Sequence, residues 1–411
     1  MYVPRALEDR LLEASDQFPV LLATGPRQVG KTTLLQHLCR DEHGAERRYV
    51  TLDDPTLRAL ATEDPALFLQ RFPPPVLIDE IQYAPGLFPH VKMAVDAARE
   101  PGAFWLTGSQ QFLMMKGVSE SLAGRVAIVQ LLGFSTREAE GRPSRLEPFL
   151  PTAESVAARA KTARPTELHG IFERIWLGSF PALVAGPVRD RDLFYSSYLQ
   201  SYLQRDVRDL AQVGSQEAFL RFLKATAART GQLLNLSDLA RDTDVAVTTA
   251  RNWLSILEAS FQVLLVRPLH SNLTSRLVKA PKLFFLDTGL AAYLTEWSSP
   301  ETLATGAMAG AMLDTHVLVE LLKSYWHRLR SPQLYFYRDK DAKEVDFVFM
   351  QDGVLHPVEV KLGATPRRDW VRHFSVLEKF SEKLGEGAVI SLYPETIPLM
   401  AGVTAVPVGV L

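Results

Sequence analysis

The chain has 411 residues, 47% hydrophobic and 22% charged, with a formal net charge of −2. That is the composition of ordinary globular domains, and the length allows roughly two to four of them. One cysteine, Cys39, excludes an internal disulfide. The charged opening MYVPRALEDRLLEASDQ argues against a signal peptide, and no apolar run approaches membrane-spanning length. The near-neutral charge excludes a globally basic nucleic-acid binder but leaves room for local basic patches. A cytoplasmic protein without membrane contact is expected.

Residues 18–135 alternate strand-like and helix-like segments. FPVLLAT is an apolar strand, followed by GPRQVGKT and a helical run. Those eight residues fit the P-loop pattern GxxxxGK[ST] in its required strand–loop–helix context. Backbone N–H groups of Gly25, Arg27, Gln28, Val29 and Gly30 would wrap phosphates, with Pro26, which has no N–H, as part of the same nucleotide-binding loop and Thr33 following in the helix. Lys31 would reach the β- and γ-phosphates, and Thr32 would offer a hydroxyl to Mg²⁺. ATP and Mg²⁺ are thus the expected ligands. RRYVTL is a second strand. Asp54-Pro55 and Asp64-Pro65 read as helix N-caps followed by proline at the first helical position.

VLIDE carries three apolar residues to a carboxylate at a strand's C-terminal end, where ligands of open α/β sheets bind. Asp79 would hold Mg²⁺, and Glu80 would orient and deprotonate the attacking water. AFWLTGS is a further strand. At its end Ser109, with Gln110, would sit beside the γ-phosphate or serve a turn. Arg125 either stabilises the transferring phosphoryl group, within or between subunits of a homo-oligomer, or bonds helix-end carbonyls. Apolar strands between helices predict a parallel sheet covered on both faces.

Residues 136–212 read as a polar connection and then a helical, lid-like segment. Residues 213–297 contain helix, tight turn, helix and two strands, a winged-helix pattern. Ser237 is the expected cap of the first helix of the pair. Residues 259–286 hold no acid, yet include Arg267, Arg276, Lys279 and Lys282. With Thr248, Thr249, Arg251 and Asn252 early in the second helix, they are the expected DNA contacts.

Residues 305–411 start with an apolar helix, then three strands, an amphipathic helix and shorter strands. EVDFVFMQDGVLHPVEVK reads as a hairpin about Asp352-Gly353. Folding on that turn sets Asp346 opposite Glu359 and Glu344 opposite Lys361, with Pro357 at a position making no bond to its partner. Facing carboxylates repel unless something positive lies between them: a metal ion, or lysines such as Lys343 and Lys361.

In sum, GPRQVGKTT, LIDEIQ, LTGSQ, LAGR, SYLQRDV, KLFFLDTGL, YRDKDAKEVDFVF and VEVKLG resemble AAA-type P-loop ATPases of bacteria and archaea that carry a C-terminal domain of unknown function. The likeness implies an AAA-type α/β module over residues 1–135 and a winged helix. It also implies an α/β unit at 305–411 similar to the PD-(D/E)XK restriction-endonuclease fold. In that fold Asp346, Glu359 and Lys361 occupy the D…ExK positions around a second Mg²⁺ or Mn²⁺. The family's helix glutamate is replaced by Asp314, and Glu320 is the expected substitute. The expected function is ATP-driven rearrangement or movement on DNA, with or without nuclease activity. The alternative is an ATP-dependent switch whose C-terminal unit only binds.

Overall fold

The computed structural model describes residues 2–39, 47–108, 118, 121–164, 167–203, 215–270 and 279–411. Five strands build the first sheet: β1 (Val20–Thr24), β2 (Arg48–Thr51), β3 (Val76–Asp79), β4 (Phe104–Gly108) and β5 (Val126–Gln130). All pair in parallel, in the order β2-β3-β4-β1-β5. Strands buried on both faces should be apolar throughout, and β1 and β4 are buried at every position. Leu21, Ala23, Leu77 and Trp105 pack into one layer, and Val20, Leu22, Ile78 and Leu106 into the other. Both Asp-Pro pairs cap helices as expected. Asp54 accepts from Thr56 N–H and Leu57 N–H, and Asp64 from Leu67 N–H.

The apolar layer beneath β1 does not stop at residue 135. It runs on through Phe180, Tyr195 and Tyr198, through Phe222, Trp253 and Phe284, and into the C-terminal residues Leu318, Phe347 and Ile390. Asp287 pins this middle region. It accepts from Ser179 N–H at 2.8 Å, Tyr195 Oη at 3.0 Å and Leu290 N–H at 2.8 Å.

Helices Gln216–Ala227, Leu236–Asp242 and Val247–Ala259 precede β7 (Val263–Pro268) and β8 (Lys282–Phe285), an antiparallel pair that β6 (Gln232–Leu233) extends. The cap of helix Leu236–Asp242 is Asn235, whose side chain accepts from Ser237 N–H and Asp238 N–H. Ser237 instead lies inside that helix. Helix Ala309–Trp326 is followed by β9 (Leu334–Arg338), β10 (Glu344–Gln351) and β11 (Val354–Lys361), then β12 (Lys383–Leu384), β13 (Gly387–Ser391), β14 (Ile397–Met400) and β15 (Val403–Pro407). Between β11 and β12 stand two short 3₁₀ turns, Arg368–Val371 and Phe374–Lys379, in place of the expected amphipathic helix.

β7 pairs in parallel with β9, so one ten-stranded sheet spans the hairpin β7–β8 and the C-terminal strands. The turn Asp352-Gly353 has φ of 51° and 75°, the left-handed pair of a type I′ hairpin, and Val348 faces Pro357. Among the described residues no helix is long and apolar enough to cross a membrane.

Candidate functional site

Residues 25–30 form the loop between β1 and helix Lys31–Leu38. Three positive φ angles shape it: Gly25 at 144°, Gln28 at 61° and Gly30 at 90°. A Cβ on Gly25 would lie 2.0 Å from the Leu131 carbonyl oxygen, so the close approach of loop to β5 requires glycine there. The Lys31 ammonium donates to the carbonyls of Gly25 (2.9 Å) and Pro26 (2.7 Å). A buried ammonium needs such acceptors, and the lysine thereby folds back over its own loop.

The end of β3 meets this loop. Thr32 Oγ1 donates to Asp79 Oδ1 at 2.7 Å. Thr107 on β4 also donates to Asp79 Oδ1, and Tyr49 on β2 donates to Oδ2 at 3.1 Å. Burial and the neighbouring Asp79 carboxylate push the Tyr49 phenol up to about 12, which keeps it a donor. Glu80 follows in the left-handed region, φ 57°, and Gln82 Nε2 donates to its carboxylate. A non-glycine residue in that conformation is uncommon and is concentrated at working sites. Tyr49, Thr107 and Gln82 were not singled out by sequence reasoning. The parallel register is the signal for two of them: Thr107 follows Leu106, the partner of Ile78, and Tyr49 lies two residues before Thr51, the partner of Asp79.

A cavity of about 460 Å³ adjoins the loop, lined by Tyr2, Arg5, Gly30, Thr33, Phe134 and Pro181. The Arg5 guanidinium is buried at its edge. It donates to the Val29 carbonyl at 3.0 Å, to the Leu132 carbonyl at 2.8 Å and to Glu138 Oε1 at 3.0 Å.

Ser109, Gln110 and Arg276 lie outside the described residues. Arg125 immediately precedes β5, and Val126 pairs with Val20 at the start of β1. The P-loop follows the other end of β1. At about 3.3 Å per strand residue the two are some 13–16 Å apart along the sheet. Arg125 therefore cannot reach a phosphate held by its own P-loop, and its guanidinium pairs with Asp96 at 2.6 Å. That geometry excludes the within-subunit role and leaves the between-subunit one. If it holds, Arg125→Ala binds nucleotide normally but loses turnover, and wild-type turnover per chain rises with protein concentration. Turnover of Arg125→Ala equal to wild type would remove Arg125 from the chemistry.

On the helix Val247–Ala259, Thr248, Arg251 and Asn252 are exposed and Thr249 is half-buried. Arg267 and Lys279 are exposed. Lys282 is not a DNA contact in this fold. Its side chain is 6% exposed and ion-pairs with Glu344.

The structure brings Asp314, Asp346, Glu359 and Lys361 together. The β10–β11 ladder is registered to Phe347–Val358, and beyond it Asp346 Oδ2 accepts from Val360 N–H at 2.9 Å. Lys361 Nζ lies 2.5 Å from Glu359 Oε1 and 3.9 Å from Asp346 Oδ2. Burial, then Asp346, push Glu359 up to about 8 against the opposing pull of Lys361. The same two causes raise Asp314 well above the usual carboxylate range. Glu320 does not join them. It faces the first module, accepting from Thr136 N–H at 2.8 Å and pairing with Lys323 at 3.0 Å. Six residues of helix rotate it about 120° from Asp314, which excludes a shared metal.

Comparison with known proteins supports an AAA-type ATPase. The AAA domain family matches residues 17–140, and two families described as domains of unknown function, DUF8612 and DUF4143, match residues 168–301 and 309–411. Uncharacterized protein Rv2008c of Mycobacterium tuberculosis is 30% identical over 402 residues, covering 97% of this chain and 82% of its own. Uncharacterized protein Mb2031c of Mycobacterium bovis matches equally. Among solved structures, the Walker-type ATPase PABY2304 of Pyrococcus abyssi aligns at TM-score 0.41 and 18% identity, over 71% of this chain and 96% of that one. AMPPCP-bound DnaA from Aquifex aeolicus aligns at TM-score 0.29 and 14% identity, over 61% and 86%. With its P-loop, its AAA domain and its likeness to the mycobacterial proteins over 97% of its residues, the chain belongs to their family, one of AAA-type P-loop ATPases.

Proposed function

We propose that the chain couples hydrolysis of Mg²⁺-ATP to work on DNA through its helix-turn-helix unit, read as a winged helix. The observation that carries the ATPase half is the hydrogen bond from Thr32 to Asp79, with Glu80 next in the chain. Those oxygens form the hard donor set that suits Mg²⁺. Thr32 and Asp79 would hold the ion, which would supply positive charge to offset that of the phosphates. Lys31 leaves the Gly25 and Pro26 carbonyls for the phosphates. Glu80 takes a proton from the water that attacks the γ-phosphorus. Gln82 holds that carboxylate in place, and the cavity beside Thr33 takes the base.

The DNA half is supported by the exposed polar face Thr248, Arg251 and Asn252 and by the exposed cations Arg267 and Lys279. On this reading duplex DNA stimulates turnover, the stimulation falls steeply with added salt, and Arg251→Ala with Asn252→Ala abolishes it. A steady-state ATPase assay across salt concentrations reads all three. Turnover indifferent to DNA at low salt would favour the second reading, a nucleotide-dependent switch. That alternative is supported by Arg5, which touches both the P-loop and Glu138, against which the C-terminal helix packs.

A further inference from the structure

The PD-(D/E)XK likeness calls for a divalent metal ion between Asp346 and Glu359. The carboxylates there are already engaged. Lys282 enters from β8, in a different unit of the chain, and places its buried ammonium against Glu344 and 3.8 Å from Asp346 Oδ1. Lys361 stands on the other side, at 3.9 Å from Oδ2 and 2.5 Å from Glu359. Oδ2 also accepts the Val360 N–H, and the second oxygen of Glu344 accepts from Arg338 at 2.9 Å. A hard divalent ion takes about six oxygens at roughly 2.0–2.6 Å. Two ammonium groups within 4 Å of the central carboxylate fill that space and repel a third cation. Among the described residues no group of three or more His, Cys, Asp or Glu is arranged to hold a metal ion. The residues present do not fit the metal.

We propose that the Lys282 ammonium is the standing cation of this acid cluster, in place of a metal ion, and that the C-terminal unit docks the β7–β8 hairpin rather than cutting DNA. Facing carboxylates on β10 and β11 are then the socket for a lysine delivered from another part of the chain. The parallel pairing of β7 with β9 brings β8 close enough to deliver it. Replacing a buried cation leaves uncompensated acids, so the socket and the lysine must be lost together to be lost cheaply.

Mn²⁺ titration of the nucleotide-free full chain, followed by electron paramagnetic resonance, tests this independently of the ATPase reading. Wild type and Asp346→Asn should take up the same number of ions up to about 1 mM, the weak end of protein sites for such cations. An ion bound by wild type and lost in Asp346→Asn would overturn the proposal. So would Mn²⁺-dependent DNA cleavage lost in that variant. In the same chain Lys282→Met should speed proteolysis within residues 259–286, Lys282→Arg should not, and adding Asp346→Asn to Lys282→Met should slow it again. Equal cleavage rates for Lys282→Met and wild type would also overturn it. Should Lys282→Met fail to fold, the wild-type and Asp346→Asn titrations decide alone.

Discussion

Lys31→Ala should fold normally and turn over ATP at least about 100-fold more slowly than wild type, the scale seen when one charged or hydrogen-bonding group is removed from a developing oxyanion. Its stability should fall modestly. The ammonium bonds the carbonyls of Gly25 and Pro26, and hydrogen bonds of charged groups contribute about 1.5–3 kcal/mol each at most. Part of that returns because the truncated side chain no longer has a charge to bury. The loop itself is held from elsewhere. Gly25 is wedged against Leu131, and Arg5 holds the carbonyl of Val29. Loss of turnover with an intact fold is therefore the expected pairing, checked by a phosphate-release assay beside thermal unfolding. Full-rate hydrolysis by Lys31→Ala would mean that the ATPase assignment is wrong. Glu80→Gln separates the steps further. It should retain nucleotide binding, measured by calorimetry, while losing turnover, because the carboxylate acts on the water and not on the phosphates.

The parts of this site that could be read from the chain are those whose chemistry is local. A phosphate loop needs glycine where the backbone turns left-handed or touches a neighbour; Gly25 meets both conditions and Gly30 the first. A strand that ends on Asp79 needs only a short apolar run before it, here Val76, Leu77 and Ile78. Asp352-Gly353 sets the hairpin, and with it the meeting of Asp346 with Glu359. What could not be read is what arrives from far away. Arg5 and Glu138 are 133 residues apart, and Lys282 meets Glu344 only because β7 pairs with β9. An acid-free stretch looked like a nucleic-acid surface, yet the acids answering Lys282 lie on another strand. Two placements follow from the chain alone. A residue immediately before a parallel strand lies at the edge away from the phosphates, which excludes Arg125 from its own site. Helical periodicity separates Glu320 from Asp314.

Glu138→Ala should cost about 3–5 kcal/mol, because it strands a buried guanidinium. Glu138 is fully buried at the meeting point of three segments. It accepts from Arg5 Nε at 3.0 Å, from Ala6 N–H at 2.8 Å and from Ser135 N–H at 2.7 Å, with His327 Nε2 of the C-terminal helix end 3.7 Å away. Burial acts to raise its pKa. Arg5, His327 and the two N–H groups outweigh it and hold the carboxyl down at about 2. A depressed carboxyl contributes stability that is complete above its unfolded value near 4.5 and is lost as pH falls towards 2. The shift corresponds to about 3 kcal/mol at most. His327 acts in the same direction. Burial lowers its pKa against the pull of Glu138, so it resists protonation below about 6.5 and destabilises the fold as acid is added. Urea unfolding of wild type should therefore show stability falling from pH 6.5 downwards and steepening below 4.5. Glu138→Gln should be weaker at pH 7 and flatter below 4.5. Because Arg5 also holds the Val29 carbonyl, Glu138→Gln should weaken nucleotide binding as well, although residue 138 touches no phosphate. Unchanged nucleotide affinity in a folded Glu138→Gln chain would show that the P-loop does not depend on this junction, and would remove the main support for a switch.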